Sequence, residues 1–161
     1  MQIKTRLTES DFVKVNFVLL LKRPGLKIAV GIILLLMIYS AYLQITYEKG
    51  VYLDMFIWPL ILLIVLPLLT YIGARVNYKS NARIKETIEY QFENDYLVVN
   101  GESFTSRLTW QKIYKVTKTK DWLLIWQSRQ VANVIPLRDV WEGDMAKLKE
   151  ILDSHAVKNN L

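Results

Sequence analysis

Side chains able to attack, transfer protons or ligate metal are sparse in this chain. It has no cysteine and one histidine, His155, placed in a polar C-terminal tail expected to fray. Nucleophilic thiolates and zinc clusters therefore have no donors. The carboxylates Glu86, Glu89, Glu93, Asp95 and Glu102 are spread over segments that read as strands and turns, as solvated faces are, and no glycine-rich phosphate loop is present. The chain reads as a non-enzyme, with no catalytic, cofactor-binding or metal-ligating residue and no cofactor.

What remains is cationic chemistry. Twenty-one Lys and Arg against fifteen Asp and Glu give a net charge of +6, and the pI is near 9.4. Lys112, Lys115, Lys118 and Lys120 recur in a strand-rich region. They are a candidate lip for a lipid headgroup or an acidic peptide, or else the lysines that guard a strand edge against aggregation. Lys22, Arg23, Lys27, Arg75, Lys79, Arg83 and Lys85 cluster beside two apolar runs. There each basic group gains about 1 kcal/mol from the anionic lipids of an inner leaflet. That placement accounts for most of the charge, so nucleic acid is not needed as a partner.

The elements that position these groups divide between two solvents. Apolar residues make up 52% of the 161 and charged ones 22%, too apolar for a wholly globular chain and too charged for a wholly lipid-buried one. The runs Ile28–Tyr47 and Met55–Ala74 each extend about 20 residues without a charge, enough to cross a hydrocarbon core of about 30 Å. A cleaved signal peptide does not fit, because a second span follows at once and no small-residue cleavage site is present. A pair of buried core helices does not fit either, since too little chain remains to cover them. The short link Glu48–Asp54 can only turn the chain back, giving an antiparallel hairpin. Basic residues flank both spans on one side while the link carries only Lys49, which places both termini in the cytoplasm. Tyr39, Tyr42, Tyr47, Tyr52, Phe56 and Trp58 would ring the outer interface, and Tyr71 and Tyr78 the inner one. Pro59 and Pro67 fall within the second span, where membrane helices tolerate them.

Ahead of the spans, Gln2–Leu7 alternates like a short strand. Thr8-Glu9-Ser10-Asp11 then offers capping side chains for an amphipathic helix, ended by Lys22-Arg23-Pro24-Gly25. That helix has two open placements, on the membrane surface or against the cytoplasmic domain. Past an exit segment, Arg75–Lys85, strands are predicted over Thr87–Phe92, Tyr96–Val99 and Ser103–Leu108, with Asn100-Gly101 as a tight hairpin. A second set covers Lys115–Thr119, Trp122–Trp126 and Val131–Ile135. An amphipathic helix over Asp139–Asp153 then closes the sheet. Trp122, Leu124 and Trp126 are expected to meet that helix through Trp141, Leu148 or Ile151, with Leu123 and Ile125 opposite. Trp110, Ile113 and Val116 would share one side of a short turn that plugs the sheet edge, and Pro136 would end a ladder. The predicted class is thus an α+β membrane protein. Residues 1–27 form an N-terminal strand and helix, 28–74 a transmembrane hairpin, and 75–161 a linker and cytoplasmic antiparallel β-sheet domain closed by a C-terminal helix, resembling a small PH-like fold.

The run Leu108-Thr109-Trp110-Gln111-Lys112-Ile113-Tyr114-Lys115-Val116, followed by a two-strand stretch ending Val134-Ile135-Pro136-Leu137-Arg138, resembles the YcxB-like family of small bacterial membrane proteins. Members carry two spans followed by a C-terminal domain of this shape, and the resemblance extends over nearly the whole chain. It departs at Leu137, where a basic residue is expected after the proline; Arg138 stands next in line. The resemblance implies a bacterial inner-membrane protein and no particular activity. Two roles follow as expectations. One is a membrane-anchored cytoplasmic interaction or regulatory module, partnered by the bilayer, by anionic headgroups and by a protein the sequence does not identify. The other is an accessory subunit of a transport or envelope complex, acting through its spans.

Overall fold

In the computed structural model, residues 1–47 and 54–161 are described. The class is α+β, with four α-helices and two antiparallel sheets among these residues. The compact units do not follow the linear order of the sequence: Met1–Val15 joins Tyr78–Leu161 in one, and Asn16–Asn77 forms the other.

The second unit is helical. Helix α1 (Glu9–Lys22) runs into it, and α2 (Pro24–Tyr47) begins only one residue after α1 ends. Pro24 takes the first position of α2, where its missing N–H costs no hydrogen bond. The basic stop is thus a single residue, Arg23, and α2 starts four residues before the expected span. Helix α3 (Asp54–Ser80) continues through Pro59 and Pro67 and past the expected end at Ala74. Both helices are apolar and long enough to cross a membrane, over Pro24–Thr46 and Ile61–Ser80, with mean hydropathies of 2.2 and 1.6. Only 6% of either window is buried, which is not how the core helices of a soluble protein behave. The expected link, with Tyr52, and the side chains of Tyr47, Phe56 and Trp58 lie outside the described residues.

The first unit holds two sheets. One has the order β1-β2-β3-β4 (Gln2–Thr5, Ile88–Phe92, Tyr96–Asn100, Thr105–Thr109), and the other the order β5-β6-β7 (Lys115–Lys118, Trp122–Trp126, Ala132–Pro136). Strand β1 pairs antiparallel with β2, Ile3 opposite Tyr90 and Thr5 opposite Ile88. The period of two puts Ile3, Tyr90, Phe92, Leu97 and Val99 on the buried face. From the other sheet come Val116, Leu123, Ile125 and Ile135, and α4 (Glu142–Ser154) adds Leu148 and Leu152. Trp110 is fully buried in a 3-10 turn over Trp110–Lys112, with Ile113 and Val116 buried beside it.

Several expectations change. Leu123 and Ile125, rather than Trp122, Leu124 and Trp126, join the core cluster with α4. Every residue of β6 is buried, so its continuous apolar run carries no sign of which face meets the helix. Trp141 is 70% exposed because α4 starts after it and points Met145, Leu148 and Leu152 inward instead. The β3–β4 connection is four residues long, since Asn100 pairs with Thr105, and no glycine among the described residues has positive φ. Gly101 sits in a crowded place: a Cβ would lie 2.5 Å from the Phe104 ring and 2.7 Å from a Glu86 carboxylate oxygen, so those side chains would have to shift. The tail does not fray. The Val116 amide donates to the Lys158 carbonyl (2.8 Å), Val116 bridges Asn159 in parallel, and the Lys118 amide donates to Asn160 Oδ1 (2.7 Å). Residues 157–160 thus cover the edge of β5.

Candidate functional site

The candidate lip lysines do not form one surface. Lys112 lies in the 3-10 turn, while Lys115 and Lys118, three apart on β5, fall on opposite faces of the strand. Lys115 sits over the rings of Tyr114 (5.6 Å) and Trp126 (5.3 Å). Lys120 reaches a different place, a polar cleft shared with Lys14, Asp121 and Arg138. Of the inner-leaflet candidates, Lys22, Arg23, Lys27 and Arg75 belong to the helical unit, and Lys79, Arg83 and Lys85 to the β unit. Lys85 Nζ donates to the Lys79 carbonyl (2.9 Å), and its own carbonyl accepts from Arg6 Nε (2.9 Å). Arg83 lies over Phe104 at 5.9 Å.

Three of the five carboxylates, Glu86, Glu89 and Glu102, make contacts within the β unit. Glu86 accepts from the Ser103 hydroxyl (2.6 Å) and amide (3.0 Å), which hold it below its ordinary value and fix the β3–β4 loop. Glu89 lies 3.9 Å from Lys4 across the β1–β2 pair. Glu102 accepts from the Thr87 amide. His155 Nδ1 lies 3.0 Å from the Ile151 carbonyl, with its ring near Trp110. Among the described residues no group of three metal-ligating side chains converges.

The best-built polar constellation joins the start of α1 to the 3-10 turn over Leu137–Asp139 that follows β7. Asp11 is 5% exposed and receives Arg138 in fork geometry, from Nη1 at 2.9 Å to Oδ1 and from Nη2 at 2.6 Å to Oδ2. Its Oδ2 also accepts from the Thr8 hydroxyl (2.7 Å) and amide (3.0 Å), and Thr8 Oγ1 caps the Asp11 amide in return. Arg138 above all, with Thr8, holds the Asp11 carboxyl well below the usual carboxylate range, and Asp11 raises Arg138 in turn. Beside the pair, Thr5 Oγ1 donates to Asp139 Oδ2 (2.6 Å), tying β1 to the same corner. The sequence assigned Asp11 a cap and left Arg138 open. It carried no signal that the two, 127 positions apart, would meet.

A second cleft, of about 280 Å³, lies between β2, β7 and the connection from β1 to α1. Its walls include Leu7, Phe12, Ile88 and Val134, with Tyr90, Asn133, Arg83 and Glu86 as polar groups. Tyr90 is 2% exposed, and burial pushes its phenol up, so it stays protonated. The Asn133 amide nitrogen is buried and without a hydrogen-bond partner. Sequence reasoning missed this cleft, because an asparagine inside a strand is indistinguishable from a solvent-facing one until the register is known.

Residues 92–152, from the last residue of β2 to Leu152 of α4, match the family model described as YcxB-like protein. The resemblance inferred from the tryptophan turn and the Pro136 segment is thereby shown for the C-terminal domain. The matched residues exclude the two apolar helices, which are consistent with the family pattern. No curated protein and no solved structure matches the chain.

Proposed function

We propose, from the YcxB-like character of residues 92–152, that this chain is a membrane-anchored interaction or regulatory module without catalysis of its own. Helices α2 and α3 anchor it in the bacterial inner membrane, and the β unit, carrying both chain ends, works in the cytoplasm. One observation carries this reading. Strands β1 and β2 pair residue by residue although both apolar helices lie between them in sequence. That pairing supports a reading in which the two flanks of the hairpin share one compartment, as an even number of crossings requires. The excess of Lys and Arg on those flanks favours the cytoplasmic side. Seven strands split four and three, closed by a C-terminal helix, are compatible with a PH-like domain.

The test is a pair of topology reporters, one after Leu161 and one between α2 and α3. They should report cytoplasm and exterior respectively, and the reverse would sink the assignment. The second reading, an accessory subunit acting through its spans, draws on Gln44 in α2, whose Nε2 is buried with no hydrogen-bond partner among the described residues. A chimera separates the two: exchanging α2 and α3 for an unrelated hairpin while keeping 1–15 and 78–161 should retain copurifying partners if the module acts, and lose them if the spans do. The fragment Arg83–Leu161 does not serve, since it lacks β1 and Asp11.

A further inference from the structure

The cleft beside β7 combines three features that folding alone does not require. Its walls are mainly apolar. Its two charged lining groups, Arg83 and Glu86, are opposite in sign, and Glu86 is already satisfied by Ser103. Its polar lining includes the protonated Tyr90 phenol and the Asn133 side chain, whose amide nitrogen is buried with no hydrogen-bond partner among the described residues. Buried polar groups are nearly always paired, and an unpaired amide costs stability that a leucine there would not. Turning the Asn133 amide about its terminal bond exchanges donor and acceptor without moving the backbone, so the group can meet an incoming carbonyl. A binding site of this kind, apolar with a few convergent polar groups, is how small ligands are held.

We propose that this cleft binds a small uncharged molecule with an apolar body and a carbonyl-type acceptor, seated against Phe12, Ile88 and Val134 with the acceptor on the Asn133 amide and the Tyr90 hydroxyl. Charge balance at the rim selects an uncharged ligand, and the volume excludes a folded partner. The site goes beyond membrane anchorage: it makes the β unit responsive to a small molecule.

The probe is benzophenone, a diaryl ketone of this chemistry, applied to the full chain in lipid nanodiscs. On irradiation its ketone oxygen takes a hydrogen from a neighbouring C–H, and the two carbon radicals join, leaving a tertiary alcohol. Peptides are then mapped by mass. Labelling of the β7 peptide containing Asn133 should saturate. It should be displaced by acetophenone, which keeps the ketone, and not by ethylbenzene, which lacks it. Asn133→Leu should weaken that labelling about tenfold, the equivalent of one ordinary hydrogen bond, while raising the melting temperature of the unliganded β unit. Tyr90→Phe should weaken labelling severalfold and carries the test if Asn133→Leu fails to fold. Non-saturating labelling, equal displacement by ethylbenzene, or Tyr90→Phe and Asn133→Leu labelling like the wild type would overturn the proposal.

Discussion

Removing the Arg138 guanidinium leaves Asp11 buried with half of its partners. In Arg138→Gln, Oδ2 keeps both Thr8 donors, while Oδ1 loses the Nη1 contact at 2.9 Å. Breaking a fully buried pair costs about 3–5 kcal/mol. Here the Arg138 side chain is 53% exposed and screened, and Asp11 retains its cap, so about 2–3 kcal/mol is expected. For a unit of roughly 100 residues that lowers the melting temperature by about 10 °C or more. The assay is thermal unfolding of the full chain in nanodiscs, read by near-ultraviolet circular dichroism of the buried Trp110, Trp122 and Trp126. A double-mutant cycle with Asp11→Asn should show a coupling of about 1.5–3 kcal/mol. The pH dependence has a definite sign. The folded carboxyl of Asp11 is depressed below the unfolded value of about 3.9. The pair therefore contributes fully above pH ~5, and its contribution is lost as pH falls below about 4. The advantage of wild type over Asp11→Asn should shrink in that acid window and nowhere above it. Additive single effects, or an Arg138→Gln melting curve matching wild type, would refute the reasoning.

Two other outcomes follow from the core and the tail. Trp110→Ala should destabilise the β unit by about 3–5 kcal/mol, while Trp141→Ala, at 70% exposure, should leave the same melting curve within about 0.5 kcal/mol. Deleting residues 157–161 removes buried Val157 and uncovers the β5 edge, so the truncated chain should melt lower and sediment in larger species than the full chain.

The elements were legible wherever one physical signal dominated. Uninterrupted apolar length marked α2 and α3, and the turn residues at Glu93–Asp95 and Asn100-Gly101 bounded β2 and β3. The Thr8–Asp11 spacing marked the start of α1, and apolar spacing at 145, 148 and 152 marked α4. Legibility failed where two faces looked alike. In Trp122–Trp126 every side chain is apolar and buried, so alternation could not say which face meets α4. It failed again where a role depends on distant chain. Asn159 and Asn160 look like a solvated tail until β5 is beside them, and Asn133 looks like any strand asparagine until its neighbours close over it. The Asn100-Gly101 pair was a sound turn signal, overridden because Glu86 organises the following loop through Ser103.

The pairing of β1 with β2 across the hairpin has a consequence for biogenesis. Ile3 is made before both apolar helices, yet its partner Tyr90 emerges only after them. At about 5–20 residues per second the gap is roughly 4–17 s. During that interval β1 and Asp11 wait without Tyr90 and Arg138, and, on the proposed anchorage, the helices would enter the bilayer. Were one helix to insert and the other fail, the N-terminal strand and the rest of its sheet would end on opposite sides of the membrane. Closure of the sheet and of the Asp11–Arg138 fork would then be impossible. On the proposed anchorage, completion of the β unit would therefore require that both apolar helices cross, and a chain with one crossing would keep an open sheet edge at β2.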